Sequence, residues 1–247
     1  MDKMLYIAMS GAKQNMHALS VNANNLANAK TTGFKADLAN ARSMQAFGEG
    51  LPTRVFSMTE RASQNFDSGP LHSTGRDLDI AIQDSGWFAV QSADGSEAYT
   101  RAGHLNITQD GALQTANGDL VLGDAGPITL PLPVANIEIS PDGMIMVQPE
   151  GAPSNVQEEV GIIKMVSPNV RLMEKSADGL FRMKDRTVAP PDVTVQLRSG
   201  MLESSNVNPI GEMTDMIAIQ RQFEMHLKLM KTAEEIDQKS ANLLRAF

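Results

Sequence analysis

Leu5, Ala8, Ala12, Asn15, Leu19, Asn22, Leu26 and Ala29 follow one another at alternating steps of three and four residues. That spacing draws one stripe along a helix and matches the a and d positions of a coiled coil. Gly11 is the one interruption. A helix from about Lys3 to Ala29 would be roughly 40 Å long at 1.5 Å per residue. The rhythm returns at the other end, at Met213, Met216, Gln220, Phe223, Leu227, Met230, Glu234, Asp237, Ala241 and Leu244. There Asn208 is placed to cap the helix, and Pro209 takes its first position. The late polar members turn the apolar stripe toward Ala233, Ile236 and Leu243, a rotation off a strict 3.5-residue repeat.

Between the two ends the period changes from helical to strand-like. In "LDIAI", Leu78, Ile80 and Ile82 share one face, and Asp79 and Ala81 the other. "WFAVQ", "EAYTRA", "HLNIT", "DLVLG", "NIEIS", "MIMVQ", "VGIIKMV", "GLFRMK" and "VTVQLRS" are further runs of strand length. Asp94-Gly95, Asp110-Gly111, Asn117-Gly118, Asp142-Gly143 and Asp178-Gly179 separate them. Such pairs supply the positive φ that tight hairpins require. The stretch from Thr31 to Gly75 is polar and rich in small residues, with scattered Phe34, Phe47, Phe56 and Phe66. Ala189-Pro190-Pro191 marks a return path.

The expected fold class is therefore α+β. Long N- and C-terminal α-helices pair as a coiled-coil-like core domain, residues 1–30 with 208–247. A central antiparallel all-β domain of sandwich or barrel type spans 76–187. Residues 31–75 and 188–207 form an extended connector between them. Asn15 and Asn22 on the seam would fix register at a cost in stability. An isolated helix this polar is marginal in water, so its order is expected to come from packing against other chains.

Composition narrows the function. The 247 residues carry a formal net charge of −8. A nucleic-acid surface would need a basic patch, which this balance disfavours. The absence of cysteine excludes disulfides, thiolate metal sites and thiol nucleophiles. No run of about 18 apolar residues suggests a membrane span. No apolar segment with a small-residue cleavage site follows the start, so export without a cleavable signal peptide is expected. His17, His72, His104 and His226 lack ligand spacing, so no metal is expected. Ser10 and Lys13 match a short S-x-x-K string without its usual partner motifs. Asp77, Asp79 and Asp84 fail the calcium-loop pattern. Phosphate-binding glycine loops are absent. No catalytic, cofactor or small-molecule site is expected, and the chain reads as a non-enzyme.

Four separated blocks carry a family resemblance. They are "NANNLANAKTTGFKA" (22–36), "SGPLHSTGRDLDIAIQDSGWFAV" (68–90), "AYTRAGHLNITQDGALQTANGDLVLG" (98–123) and "SGMLESSNVNPIGEMTDMIAIQRQFEMHLKLMKTAEEID" (199–237). In this order they resemble the bacterial flagellar axial proteins of rod and hook. The start "MDKMLYIAMSGA" and the length resemble the proximal-rod branch. Trp87 stands where Phe is usual in the family, and Pro209-Ile210-Gly211 replaces a more helical start.

The resemblance implies a structural subunit exported through the flagellar type III apparatus. It would assemble with copies of itself and other rod proteins into a periplasmic tube that transmits torque. Subunit contacts would then run along Leu5, Ala8, Ala12, Asn15, Leu19, Asn22 and Leu26, with Gly33 ending the helix and Phe34 as an apolar anchor. The second seam would be Met213, Met216, Gln220, Phe223, Leu227, Met230 and Leu244. A distal-rod or hook-type subunit is one alternative. A cell-wall enzyme of β type with oligomerising helical ends is another.

Overall fold

The computed structural model describes residues 2–45, 55–60, 63–151, 153 and 157–245. Phe47 lies outside them, as does the side chain of Leu244. The chain divides into two compact units. A helical unit holds residues 1–29, 36–65 and 207–247, and a β-rich unit holds 30–35 and 66–206.

Among the described residues, the helical unit contains α1 (Asp2–Ala27) and four short strands, β1 (Asp37–Leu38), β2 (Ala41–Gln45), β3 (Val55–Thr59) and β4 (Ser63–Gln64). It is completed by α2 (Pro209–Arg245). β1 pairs antiparallel with β4, and β2 with β3. At the end of α1, the Asn28 side chain donates to the Asn24 carbonyl at 2.9 Å. That satisfies one of the carbonyls a helix end leaves open. At the start of α2, Asn208 Oδ1 accepts from the amides of Ile210 and Gly211. This is the expected cap, with Pro209 in the first turn where no amide hydrogen is needed.

The expected coiled-coil pairing is not what the helices form. α1 is packed by α2 on one flank and by β3 on another, so it is the middle of a mixed α/β unit. A two-helix coiled coil buries alternating knobs on both partners. Here Met213 stays 51% exposed and Leu227 45% exposed, both at expected knob positions. Among the described side chains of α2, the half-buried ones are Gly211, Glu212, Met216, Ile219, Phe223, His226, Met230, Ala233 and Asp237, only four of them from the expected stripe. Small residues explain the change. Ala8 and Ala12 are buried. Gly11 lies so close to the His226 ring that a Cβ there would sit 2.5 Å from it. The missing side chain at Gly11 lets α1 come up against the His226 ring of α2.

Among the described residues, the β-rich unit runs through sixteen strands: β5 (Leu71–Ser73), β6 (Ile80–Ile82), β7 (Trp87–Gln91), β8 (Glu97–Thr100), β9 (Leu105–Ile107), β10 (Leu113–Thr115), β11 (Leu120–Gly123), β12 (Gly126–Pro127), β13 (Val134–Ile139), β14 (Met144–Pro149), β15 (Glu158–Ile162), β16 (Met165–Val166), β17 (Met173–Lys175), β18 (Phe181–Met183), β19 (Leu197–Ser199) and β20 (Met201–Glu203). The largest sheet follows the order β17-β18-β8-β7-β11-β10-β9, with β12 on β11 and β16 on β7. β13, β14 and β15 form a second sheet, and β19–β6 and β20–β5 are pairs. All pairings are antiparallel, as the central run of short strands and turns predicts. Gly95 and Gly143 have φ of 80° and 88°, so the Asp-Gly pairs do reverse the chain between β7 and β8 and between β13 and β14.

Strand alternation decides where the cores lie. Phe88 on β7 joins Ile80, Ile82, Leu113, Val121, Ile139, Ile145 and Val147 in a core to which both sheets contribute. Trp87 and Ala89 face the other way and join Tyr99, Val166, Met173 and Phe181. The Trp87 and Phe181 rings lie 4.7 Å apart, and Phe66 meets Trp87 edge-on at 6.0 Å. β7 is thus buried on both faces, which is why it reads as a continuous apolar run.

Tyr99 tests this packing. Its hydroxyl oxygen accepts the Ala189 amide at 2.7 Å, and burial pushes the phenol up to about 12. The unfolded value is about 10, so the folded form holds the proton longer. This contribution to stability is fully present below about pH 10 and is lost as the pH rises toward about 12. Absorbance titration is expected to show Tyr99 ionising only as the unit unfolds. Tyr99→Phe should remove that part of the alkaline loss. Ionisation near pH 10 in a folded protein would contradict the assignment.

Candidate functional site

Asn25 organises the helical unit. It is buried on α1, where an amide is otherwise a poor choice. Its Oδ1 accepts the Asp37 amide at 2.9 Å, and its Nδ2 donates to the Asp37 carbonyl at 2.9 Å. The same nitrogen reaches Glu212 Oε1 on α2 at 3.2 Å. One side chain thus treats the backbone of β1 as a neighbouring strand and ties it to both helices. Burial pushes the Glu212 carboxyl above its usual value, against the pull of the Asn25 hydrogen bond. Among the described residues, three buried polar nitrogens in this unit have no hydrogen-bond partner: Asn15 Nδ2, His17 Nε2 and His226 Nδ1.

The outer faces of both helices carry large apolar side chains. On α1, Leu5, Met9 and Met16 are exposed. At 100° per residue they fall within roughly 40° of one another. On α2, Ile210, Met213 and Ile217 do the same within roughly 60°. Scattered exposed apolar residues are ordinary, but aligned ones mark a surface meant to be covered.

Of the other seam residues read from the sequence, Asn15, Leu19, Asn22, Leu26, Met216, Phe223 and Met230 are half-buried, and Gln220 is exposed. Gly33 and Phe34 belong to the β-rich unit. Gly33 lies beyond the end of α1 at φ 69°, and a Cβ there would sit 2.3 Å from the Arg101 backbone. Close approach therefore requires a glycine at this position. Phe34 is half-buried, with the Lys175 ammonium 4.1 Å from its ring centre.

Within the β-rich unit, three charges meet out of water. Glu203 Oε1 accepts from Lys35 Nζ at 2.8 Å and from the Gly69 amide at 2.9 Å. Its Oε2 accepts from Arg101 at 2.9 Å. Glu203 and Lys35 are 1% exposed and Arg101 4%. Lys35 also donates to the Asp67 carbonyl at 2.8 Å, and Arg101 to the Asp84 carbonyl at 2.6 Å. Burial pushes both cations below their usual values, while the Glu203 carboxylate pulls them back. Arg101 stands over the Trp87 ring at 5.6 Å.

The other sequence candidates have structural roles. Ser10 Oγ donates to the Ile7 carbonyl, and Lys13 is exposed. Asp79 is buried, paired with His104 at 2.8 Å and Arg76 at 3.5 Å. Among the described residues, no group of three His, Cys, Asp or Glu could hold a metal, and no helix is long and apolar enough to cross a membrane.

Three family patterns match in chain order. One for flagella basal body rod proteins covers residues 5–35, the flagellar hook protein FlgE/F/G D1 domain covers 81–147, and the flagellar basal body rod FlgEFG C-terminal pattern covers 198–243. The flagellar basal-body rod protein FlgF of Escherichia coli (strain K12) is 40% identical over 241 residues, 95% of each chain. FlgF of Salmonella typhimurium (strain LT2) is 39% identical over 250 residues, 99% of each chain. The rod protein FlgG of Bacillus subtilis (strain 168) is 31% identical over 98% of each chain.

The chain belongs to the flagellar basal-body rod protein family. It is a structural subunit of the FlgF/FlgG type and a component of the flagellar basal body. In this rod protein each family match supplies one member of the buried charge cluster, Lys35, Arg101 and Glu203 in turn. Sequence reasoning named none of the three as a site residue.

The α1–α2 approach yields a double-mutant test. Gly11→Ala is expected to destabilise the helical unit by about 1–3 kcal/mol through the clash with His226. In a His226→Ala background the same change should be stabilising by about 1 kcal/mol, since alanine is the better helix former. Helical circular dichroism followed through thermal unfolding reads both. Equal effects in the two backgrounds would rule out the contact.

Proposed function

We propose that this chain is a proximal-rod subunit that self-assembles through its terminal helices into the tube that transmits motor torque. The observation that carries this reading is the pair of aligned apolar faces, Leu5, Met9 and Met16 on α1 and Ile210, Met213 and Ile217 on α2. Neighbouring copies and other rod proteins would cover them. The higher identity to FlgF relatives, 34–40%, than to FlgG relatives, 28–31%, supports the proximal branch. Delivery through the flagellar type III apparatus, without cleavage, completes the reading.

Met213→Asp with Ile217→Asp tests it in cells lacking the native subunit. Both positions are exposed, so the unfolding free energy should change by no more than about 0.5 kcal/mol. Secretion should persist, while recovery of the subunit in isolated basal bodies and swimming in soft agar should be lost. Normal swimming by this variant would reject assembly through α2. Intact-mass measurement of the assembled wild-type subunit is expected to match the uncut chain, and a trimmed N-terminus would reject export without cleavage.

A further inference from the structure

Glu203 holds together the stretches of the β-rich unit from which the chain continues into the helical unit. The chain changes unit at 29/30, 35/36, 65/66 and 206/207. On the β-rich side, every stretch next to these points meets at Glu203. Its carbonyl accepts the Gly33 amide at 2.8 Å, and its carboxylate takes Lys35 and the Gly69 amide. The Asn206 side chain donates to the Asp67 carbonyl at 3.0 Å, and the Asn206 amide to the Phe34 carbonyl at 3.3 Å. Gly33 and Gly69 let the backbones come this close. A Cβ on Gly69 would sit 1.9 Å from the Ser204 carbonyl oxygen. Arg101 anchors the cluster to the strand core through β8 and the Trp87 ring.

We infer that Glu203 is a positioning residue for torque transfer: it joins residues 30–35, 66–69 and 203–206 into one body, so that force arriving along either terminal helix enters the β-rich unit at a single fixed point. This rests on the rod-subunit reading above. An apolar trio of the same volume would fill the space and keep the unit folded, because buried ion pairs add little net stability over apolar replacements. It would not fix the direction of the chain, since apolar contacts are non-directional. The carboxylate does so with three hydrogen bonds whose donors lie on three separate segments. Two cations against one carboxylate leave one positive charge in excess, and the Asp67 and Asp84 carboxylates act on Lys35 and Arg101 in the favourable sense.

The test uses the full-length protein and two variants. Lys35→Met/Arg101→Met/Glu203→Leu removes the cluster without stranding a charge. Glu203→Asp keeps the charge and shortens the reach, and serves if the triple variant does not fold. The folded triple variant is expected to melt within a few degrees of wild type, and Glu203→Asp, which leaves the buried cations imperfectly matched, to melt lower. Exchange of the Gly69 amide should speed up about ten- to a hundredfold, the factor carried by one charge-assisted hydrogen bond. Cells carrying either variant should build rods and swim in dilute medium, then lose speed faster than wild type as viscosity rises. A folded variant with faster Gly69 exchange and wild-type speed at every viscosity would overturn the inference, as would unchanged exchange. Failure of the wild-type protein to restore rods in the same strain would count against the rod reading itself.

Discussion

A carboxylate taken out of water must be met by cations and hydrogen-bond donors, or it destabilises the fold by several kcal/mol. Glu203 is met by Lys35, Arg101 and the Gly69 amide. Leaving any of these partners unmatched in a dry interior is costly, so the segments that carry them are constrained together. The N-terminal segment after α1, the stretch around Asp67 and Gly69, the end of β8 and the end of β20 therefore cannot be placed independently. The β sheets supply the dry surroundings that make the requirement strict. The arrangement uses electrostatics to specify geometry, while apolar burial in the two β cores supplies most of the stabilising free energy.

The helical unit balances the same forces differently. Asn25 fixes β1 against both helices, while Gly11, Ala8 and Ala12 permit close helix approach. What remains outside includes aligned apolar side chains among the charged ones. In the proposed function these are the attachment surface. A rod needs contacts along the length of its subunits, and two long helices with outward-facing methionine and isoleucine provide adaptable ones.

Much of this was legible in the sequence because it is local. The 3,4 spacing located α1 and α2, and the cap at Asn208 with Pro209 marked where α2 begins. Strand runs such as "WFAVQ" and the Asp-Gly pairs located the central hairpins. Within the chain, α2 half-buries Ile219 and His226 where a strict count from Met213 gives Gln220 and Leu227, while Met216, Phe223 and Met230 fall on both. β2 and β3 were missed because "ARSMQ" and "VFSMT" lack the alternation of half-buried strands. The Lys35–Glu203–Arg101 cluster was invisible for a different reason. Its members are 168 and 102 residues apart in the chain, and no local pattern reports such a meeting.

The account stands on the apolar faces of α1 and α2 being surfaces for neighbouring subunits. A reconstruction of an intact basal body, with this chain traced in it, measures that most directly. Leu5, Met9 and Met16 on α1 and Ile210, Met213 and Ile217 on α2 should each lie against side chains of adjacent subunits. Density showing both faces open to solvent, with subunits joined through the β-rich unit alone, would contradict it.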